Sequence, residues 1–279
     1  MGNNKVWFIT GASKGLGLEL AKKLLAEDYK VAATSRSESS LIKELGNASE
    51  NFLPLEMDLV DEKSVKNAIE AAVSHFKTID VLVNNAGYGL LGALEELTDA
   101  ESRKNFEVNV FGLLNVIRNT MPYMRAAGSG HIFNISSVGG YYGEFPGWGI
   151  YCSTKFAVAG LTESLAAEVK SFGVHATIVY PGYFRTDFLK DSSLLLPQNP
   201  IADYKEVRQS ESAHKDDINQ NQPGDPVKLA EALIKASQDQ NPPLHLFLGE
   251  DAYNMANQKI ASVQKELEGW KSVSISTGF

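Results

Sequence analysis

One alternation constrains this chain more than any other feature. "KVWFIT" (5–10) is an apolar run closed by Gly11, and "LGLELAKKLLAED" (16–28) then spaces its leucines and alanines for one helix face. The same pair recurs as "KVAATS" (30–35) before "SSLIKELG" (39–46), and as "FLPLEMDL" (52–59) before "EKSVKNAIEAAVSHF" (62–76). "DVLVNNAG" (80–87) precedes a long helix ending near Arg125, and "HIFNISS" (131–137) precedes a helix over about 150–171. Another apolar run, "HATIVYPG" (175–182), follows. Strands that are apolar throughout have no face to give to water. Each followed by a helix, they predict an α/β chain with a parallel sheet covered on both sides. Asp61 as N-cap, and Thr98 with Glu101 as a capping box, mark two of the helix starts.

Regularity fades after that. Residues 183–224 hold few periodic apolar positions and many Ser, Gln, Asn and Asp, so about 188–224 is expected to be a variable substrate loop acting as a mobile lid. Order returns with Asp225 as N-cap and Pro226 at the first helical position. "PLHLFLG" (243–249) reads as a seventh strand and 251–269 as a final helix. No repeat or linker divides the chain, so 1–279 is expected to form one domain.

Composition narrows the function. At 43% hydrophobic and 22% charged, the 279 residues suit a folded domain with a sizeable core. A net charge of −8 without basic runs argues against nucleic acid as a partner. No apolar stretch is long enough for a membrane span, and the first residues lack a signal-peptide core. Gly2 has Val6 where myristoylation needs Ser or Thr. The single cysteine, Cys152, excludes an internal disulfide framework and points to the cytoplasm. The histidines at 75, 131, 175, 214 and 245 lack ligand spacing, so no metal site is expected.

"TGASKGLG" (10–17) lies between the first strand and the first helix. Glycines there let the backbone turn sharply and approach an anion, and the helix N-terminus offers it free N–H groups. The spacing is G-x-x-x-G-x-G rather than the commoner G-x-G-x-x-G. "GASKG" also reads as the nucleophile elbow of a hydrolase, but only one strand precedes it, and an elbow needs earlier strands for its oxyanion hole. A P-loop fails because Lys14 stands before the second glycine. Further on, "YCSTK" (151–155) puts a phenol and an ammonium on one helix face, where a fixed positive charge can stabilise phenolate.

TGASKGLG, Asp58, NNAG (84–87), Asn109, Ser137, YCSTK and PGYFRT (181–186) occur in that order, and together they resemble the short-chain dehydrogenase/reductase family in its single-domain branch. The likeness covers about residues 5–190. It implies a Rossmann-type doubly wound sheet of about seven strands, ordered 3-2-1-4-5-6-7, and hydride transfer between a nicotinamide and a carbonyl or alcohol. In that family Tyr151 would be the general acid or base. Lys155 would lower its pKa and hold the ribose, Ser137 would bond the substrate oxygen, and Asn109 would link to Lys155 through water at a helix bend. Ser136 is the alternative to Ser137 and fits a strand-end serine bonded to backbone. Gly11, Ser13, Lys14, Gly15, Leu16 and Gly17 would hold the cofactor at the turn. Asp58 and Leu59 would meet the adenine, with Asn85, Ala86 and Gly87 passing the ribose. Pro181, Gly182, Phe184 and Thr186 would flank the carboxamide. Asp58 has a second reading as a turn cap.

The cofactor is expected to be NADP(H). Enzymes of this architecture that use NAD end the second strand with an acid, whereas here Ser35 is followed by Arg36, and Lys14 within the glycine turn could add a second positive charge on the same side. Tyr141, Tyr142, Phe145, Trp148, Tyr183 and Phe188 cluster in sequence near the expected mouth, which suggests an apolar, bulky substrate. The family often pairs through helices at about 100–125 and 150–171, implying a homodimer or homotetramer. A non-catalytic NADP-binding sensor or scaffold is the rival reading. Such modules commonly lose the tyrosine or the lysine.

Overall fold

The computed structural model describes residues 4–279. The reading at Gly2 lies outside the described residues. Among them, seven strands form one sheet: β1 (Val6–Ile9), β2 (Lys30–Ser35), β3 (Phe52–Glu56), β4 (Val81–Asn84), β5 (Gly130–Ile135), β6 (Val174–Pro181) and β7 (His245–Leu248). All pairings are parallel and the order is β3-β2-β1-β4-β5-β6-β7, as the resemblance implied. The helices are α1 (Gly15–Ala26), α2 (Glu38–Leu45), α3 (Glu62–Phe76), α4 (Asp99–Phe106) and α5 (Leu113–Ala127). They continue as α6 (Gly149–Val169), α7 (Lys205–Ser212), α8 (Pro226–Gln238) and α9 (Glu250–Ser274).

β1 shows why the runs do not alternate. All four of its residues are buried. Val6 and Phe8 pack with Val65 and Ile69 of α3, Val116 of α5 and Val158 of α6. Trp7 and Ile9 point the other way, onto Leu20 and Leu24 of α1, Leu41 of α2 and Leu233 of α8. Successive side chains reach opposite faces, so a sheet covered on both sides needs every position apolar.

Three segments depart from the sequence reading. β3 stops at Glu56, and the chain then turns across the carboxyl end of the sheet. The long helix is interrupted by a π-helical segment, Glu107–Gly112, between α4 and α5. Asn109 sits in that widened turn, and its side chain bonds outside the helix. The stretch 188–224 is not one loop. It contains a two-residue strand, Leu194–Leu195, beside Gly89–Leu90, then α7, then a π turn at Ala213–Ile218. Buried Glu96 ties it down, accepting from the backbone of Ala93 and Ile201 at 2.6 Å each and from Arg208 at 2.8 and 2.9 Å. No helix among the described residues is long and apolar enough to cross a membrane.

Candidate active site

Residues at the carboxyl ends of β1 through β6 line a cavity of about 580 Å³. Ligands bind in this crevice in open α/β sheets, where the strand order reverses between β1 and β4. The glycine turn forms its floor. Gly11 has φ +67°, and a Cβ there would come 2.9 Å from Ala86 Cα. A Cβ on Gly17 would lie 2.5 Å from Asn85 Nδ2. Thr10 Oγ1 accepts from the backbone of Asn85 and Ala86, both at 3.0 Å, while Asn85 Nδ2 donates to Thr10 and Gly11 carbonyls at 2.9 and 3.1 Å. The turn and the NNAG loop are thus one hydrogen-bonded unit. Gly11, Ser13, Lys14, Gly15, Leu16, Asn85, Ala86 and Gly87 all face the cavity; Gly17 lies behind it as packing.

One arm of the cavity runs past Ser35, Arg36, Asp58 and Leu59. Ser35 Oγ is engaged with Ser37, donating to its carbonyl at 2.6 Å and accepting from its N–H at 3.1 Å. Asp58 caps a turn, accepting from Val60 N at 3.1 Å, and is exposed beside the cavity. Lys14 donates to the Ser192 carbonyl at 2.9 Å and to its hydroxyl at 3.2 Å. Burial holds the Lys14 ammonium below its ordinary pKa, the charge of Arg36 lowers it further, and Asp187 opposes both. Two cations that disfavour each other's charge at one end of a cavity suit an anion between them.

Pro181, Gly182, Phe184 and Thr186 line the opposite arm. Asp251, at the start of α9, accepts from Tyr183 N at 2.6 Å, and its carboxylate occupies the space a Gly182 side chain would need. Sequence reasoning missed Asp251, because an acid in the first turn of a helix reads as ordinary dipole compensation.

The wall between the arms carries Ser137, Tyr151 and Lys155. Tyr151 and Lys155 are buried on α6, with Lys155 Nζ 5.8 Å from the centre of the phenol ring. Burial pushes the Tyr151 phenol well above its usual range, and a hydrogen bond with the Ser137 hydroxyl pulls it back down. Burial lowers Lys155 to about 8. Ser137 Oγ also accepts from Gly139 N at 3.1 Å. Ser136 Oγ instead donates to the Lys155 carbonyl at 2.9 Å, bonding backbone. Lys155 Nζ donates to the Ile135 carbonyl at 2.8 Å. Asn109 stands behind this wall. Its Nδ2 donates to the Tyr88 carbonyl at 3.0 Å and to Thr154 Oγ1 at 3.1 Å, and its Oδ1 accepts from Tyr88 N at 3.1 Å.

Of the aromatic residues expected at the mouth, Phe145, Trp148, Tyr183 and Phe188 line the cavity. Tyr141 does not: it packs edge-on against Tyr180 and Phe247 on another face. Tyr142 is also elsewhere, half-buried with its hydroxyl on Glu144. His214 and Gln222, from the segment after α7, reach the cavity although nothing in their sequence surroundings signalled it.

Residues 5–194 match the family described as short chain dehydrogenase. This chain belongs to that family. The short-chain dehydrogenase resembles "Oxidoreductase BOA17" of Botryotinia fuckeliana, 34% identical with 98% of this chain and 99% of that protein covered. It is 36% identical to the 3-ketodihydrosphingosine reductase of Bacteroides thetaiotaomicron, over 88% of both chains. A short-chain dehydrogenase structure from Streptomyces avermitilis superposes with a TM-score of 0.89 at 35% identity, covering 98% of this chain and all of that one (100%). Cofactor-bound structures exist on both sides of the NAD/NADP divide. The 3-ketoacyl-(acyl-carrier-protein) reductase of Brucella melitensis holds NADH (25% identity, TM-score 0.75, 89% and 98% covered). A short chain dehydrogenase of Burkholderia cenocepacia holds NADP (25%, 0.73, 96% and 98%). A nicotinamide cofactor is therefore the family's common property, and equal identity to both leaves the choice to this chain's own residues.

Proposed function

We propose that this short-chain dehydrogenase is a cytoplasmic, NADP(H)-dependent oxidoreductase that interconverts a carbonyl and a secondary alcohol on an apolar, bulky substrate. The observation that carries the reading is one cavity with the Ser137–Tyr151–Lys155 wall on its side and the Lys14–Arg36 pair at its end. The residues fit a dinucleotide: bare glycine backbone at the floor, the α1 N-terminus behind it, and two cations where a 2′-phosphate would lie. When bound, the nicotinamide supplies or accepts the hydride.

Every other part of the reaction falls to the chain. Tyr151 holds its proton at the phenol oxygen, and burial keeps it there until a substrate oxygen can take it. Ser137, hydrogen-bonded to Tyr151, donates to the same substrate oxygen and orients it. The Lys155 ammonium faces the phenolate that forms, offsetting the cost of that buried anion. Asn109 acts as a positioning residue, clamping the Tyr88 backbone to Thr154 and so holding the end of β4 against α6. Asp58 and Leu59 would border the adenine, Asn85–Gly87 the ribose, and Pro181, Gly182, Phe184 and Thr186 the carboxamide. Phe145, Trp148, Phe188, Leu189 and Leu195 give the substrate end an apolar lining, which suits a long or polycyclic hydrocarbon body. The Bacteroides relative is named as a reductase of 3-ketodihydrosphingosine.

Consumption of NADPH and of NADH by the purified protein, followed over a panel of ketones and aldehydes of increasing apolar size, tests the reading. Turnover with NADPH that improves with substrate size is expected. Tight NADPH binding with no turnover of any carbonyl or alcohol would select the sensor instead.

A further inference from the structure

The last helix carries an apolar seam that the fold leaves bare. α9 is anchored through buried Ala252 and Ala256, and every residue from Ala261 to Ser274 is exposed. Yet Tyr253, Ala256, Ile260, Val263, Leu267 and Trp270 recur at alternating spacings of three and four, the a and d positions of a heptad. Ile260, Leu267 and Trp270 are 54%, 57% and 66% exposed. From Ile260 to Ser274 the helix runs about 20 Å. A free helix of that length is marginal in water. Gly269 weakens it further, and no atom lies within 4 Å of where its Cβ would be, so packing inside the chain does not require glycine there. Beside the seam lies a groove of about 510 Å³, with Phe156, Ala159 and Gly160 of α6 on one wall and Ile260, Val263 and Leu267 on the other.

We propose that a second copy of this chain covers the seam, the two α9 helices pairing in parallel and in register. The heptad asks for a helical partner with the same repeat, and the chain's own copy supplies one. Charge complementarity supports pairing with a second copy. Parallel pairing puts Glu266 at a g position opposite the partner's Lys271 at e, and twofold symmetry makes that pair twice. Lys259 meets the partner's Gln264, which is neutral. An anionic lipid surface suits the seam less well, because the chain as a whole carries −8. Two short helices alone cover less than the roughly 800 Å² per partner of a stable interface. The α6 wall of the groove, where Phe156 is 44% exposed, therefore belongs to the same contact.

Sedimentation of the full chain over a dilution series tests this. Wild type is expected to be dimeric, and Leu267→Asp to raise the monomer–dimer midpoint by at least about tenfold. Glu266→Lys and Lys271→Glu should each weaken the dimer, and the double reversal should restore it. Val263→Cys should cross-link to itself on mild oxidation, whereas Lys265→Cys, on the opposite face, should not; native Cys152 is buried and stays out of the reaction. A wild-type monomer at every concentration overturns the proposal. So does a dimer that ignores Leu267→Asp and shows no Val263→Cys cross-link, since it would use another face. Monomeric protein that sediments with phosphatidylserine vesicles would assign the seam to a membrane surface.

Discussion

Burial shifts the protonation of Tyr151 and Lys155 in opposite senses. Removing water raises the phenol and lowers the ammonium, so without ligand both settle toward their neutral forms. The proposed reduction needs Tyr151 protonated and Lys155 charged. Lys155 loses its charge as pH rises through about 8, so kcat/KM for reduction should fall above that pH. Lys155→Arg keeps a charge at every accessible pH. Its lower activity should no longer show that falling limb, and an unchanged limb would assign the titration to another group. In the proposed reaction the hydroxyl of Tyr151 carries the proton, while its ring packs against Trp148 and Phe188. Tyr151→Phe should therefore abolish turnover and leave NADPH affinity, measured by fluorescence titration, within about threefold, under 1 kcal/mol. Retained turnover would remove Tyr151 from the proton path.

Elements differ in how far sequence reveals them, and the difference follows the range of the forces that hold them. β1 through β6 were readable because burial on both faces demands unbroken apolar runs, and each strand keeps its own signal. The bend at Asn109 was implied only by the family resemblance and carries no local signal, since its side chain bonds to Tyr88 and to Thr154, 45 residues further on. The segment after Thr186 looked like a loop because polar ties rather than apolar periodicity hold it. Glu96 is the main one, and it lies 112 residues from Arg208. The glycine turn, NNAG, Tyr151 and Lys155 were visible as an ordered set. Asp251, His214 and Gln222 reach their places only through the tertiary fold. Glu96→Gln keeps the shape and removes the charge that Arg208 faces at 2.8 Å. It should cost about 1.5–3 kcal/mol in the docking of that segment. Limited proteolysis should then cut within 198–215 faster than in wild type; equal cleavage would show that other contacts hold the segment.

Across the whole molecule the charge is negative, and a dinucleotide phosphate has to bind against it. The net −8 repels NADPH more than NADH, since NADPH carries the extra 2′-phosphate. The proposed preference for NADPH therefore has to come from one corner, where the end of β2 meets the glycine turn. Ser35 leaves that corner without the acid that would hold ribose hydroxyls and reject phosphate, and Arg36 and Lys14 stand on either side. Charge-assisted hydrogen bonds of about 1.5–3 kcal/mol give a preference of roughly tenfold to a hundredfold. Because Arg36 is exposed, that preference should shrink as salt rises from about 0.05 to 0.5 M, while NADH affinity changes little. Ser35→Asp combined with Arg36→Leu should reverse it, placing a carboxylate where the phosphate would lie and removing its partner. Dissociation constants for both cofactors, measured for both proteins at each salt, decide the matter. NADH binding to wild type as tightly as NADPH would show that this corner does not select the cofactor.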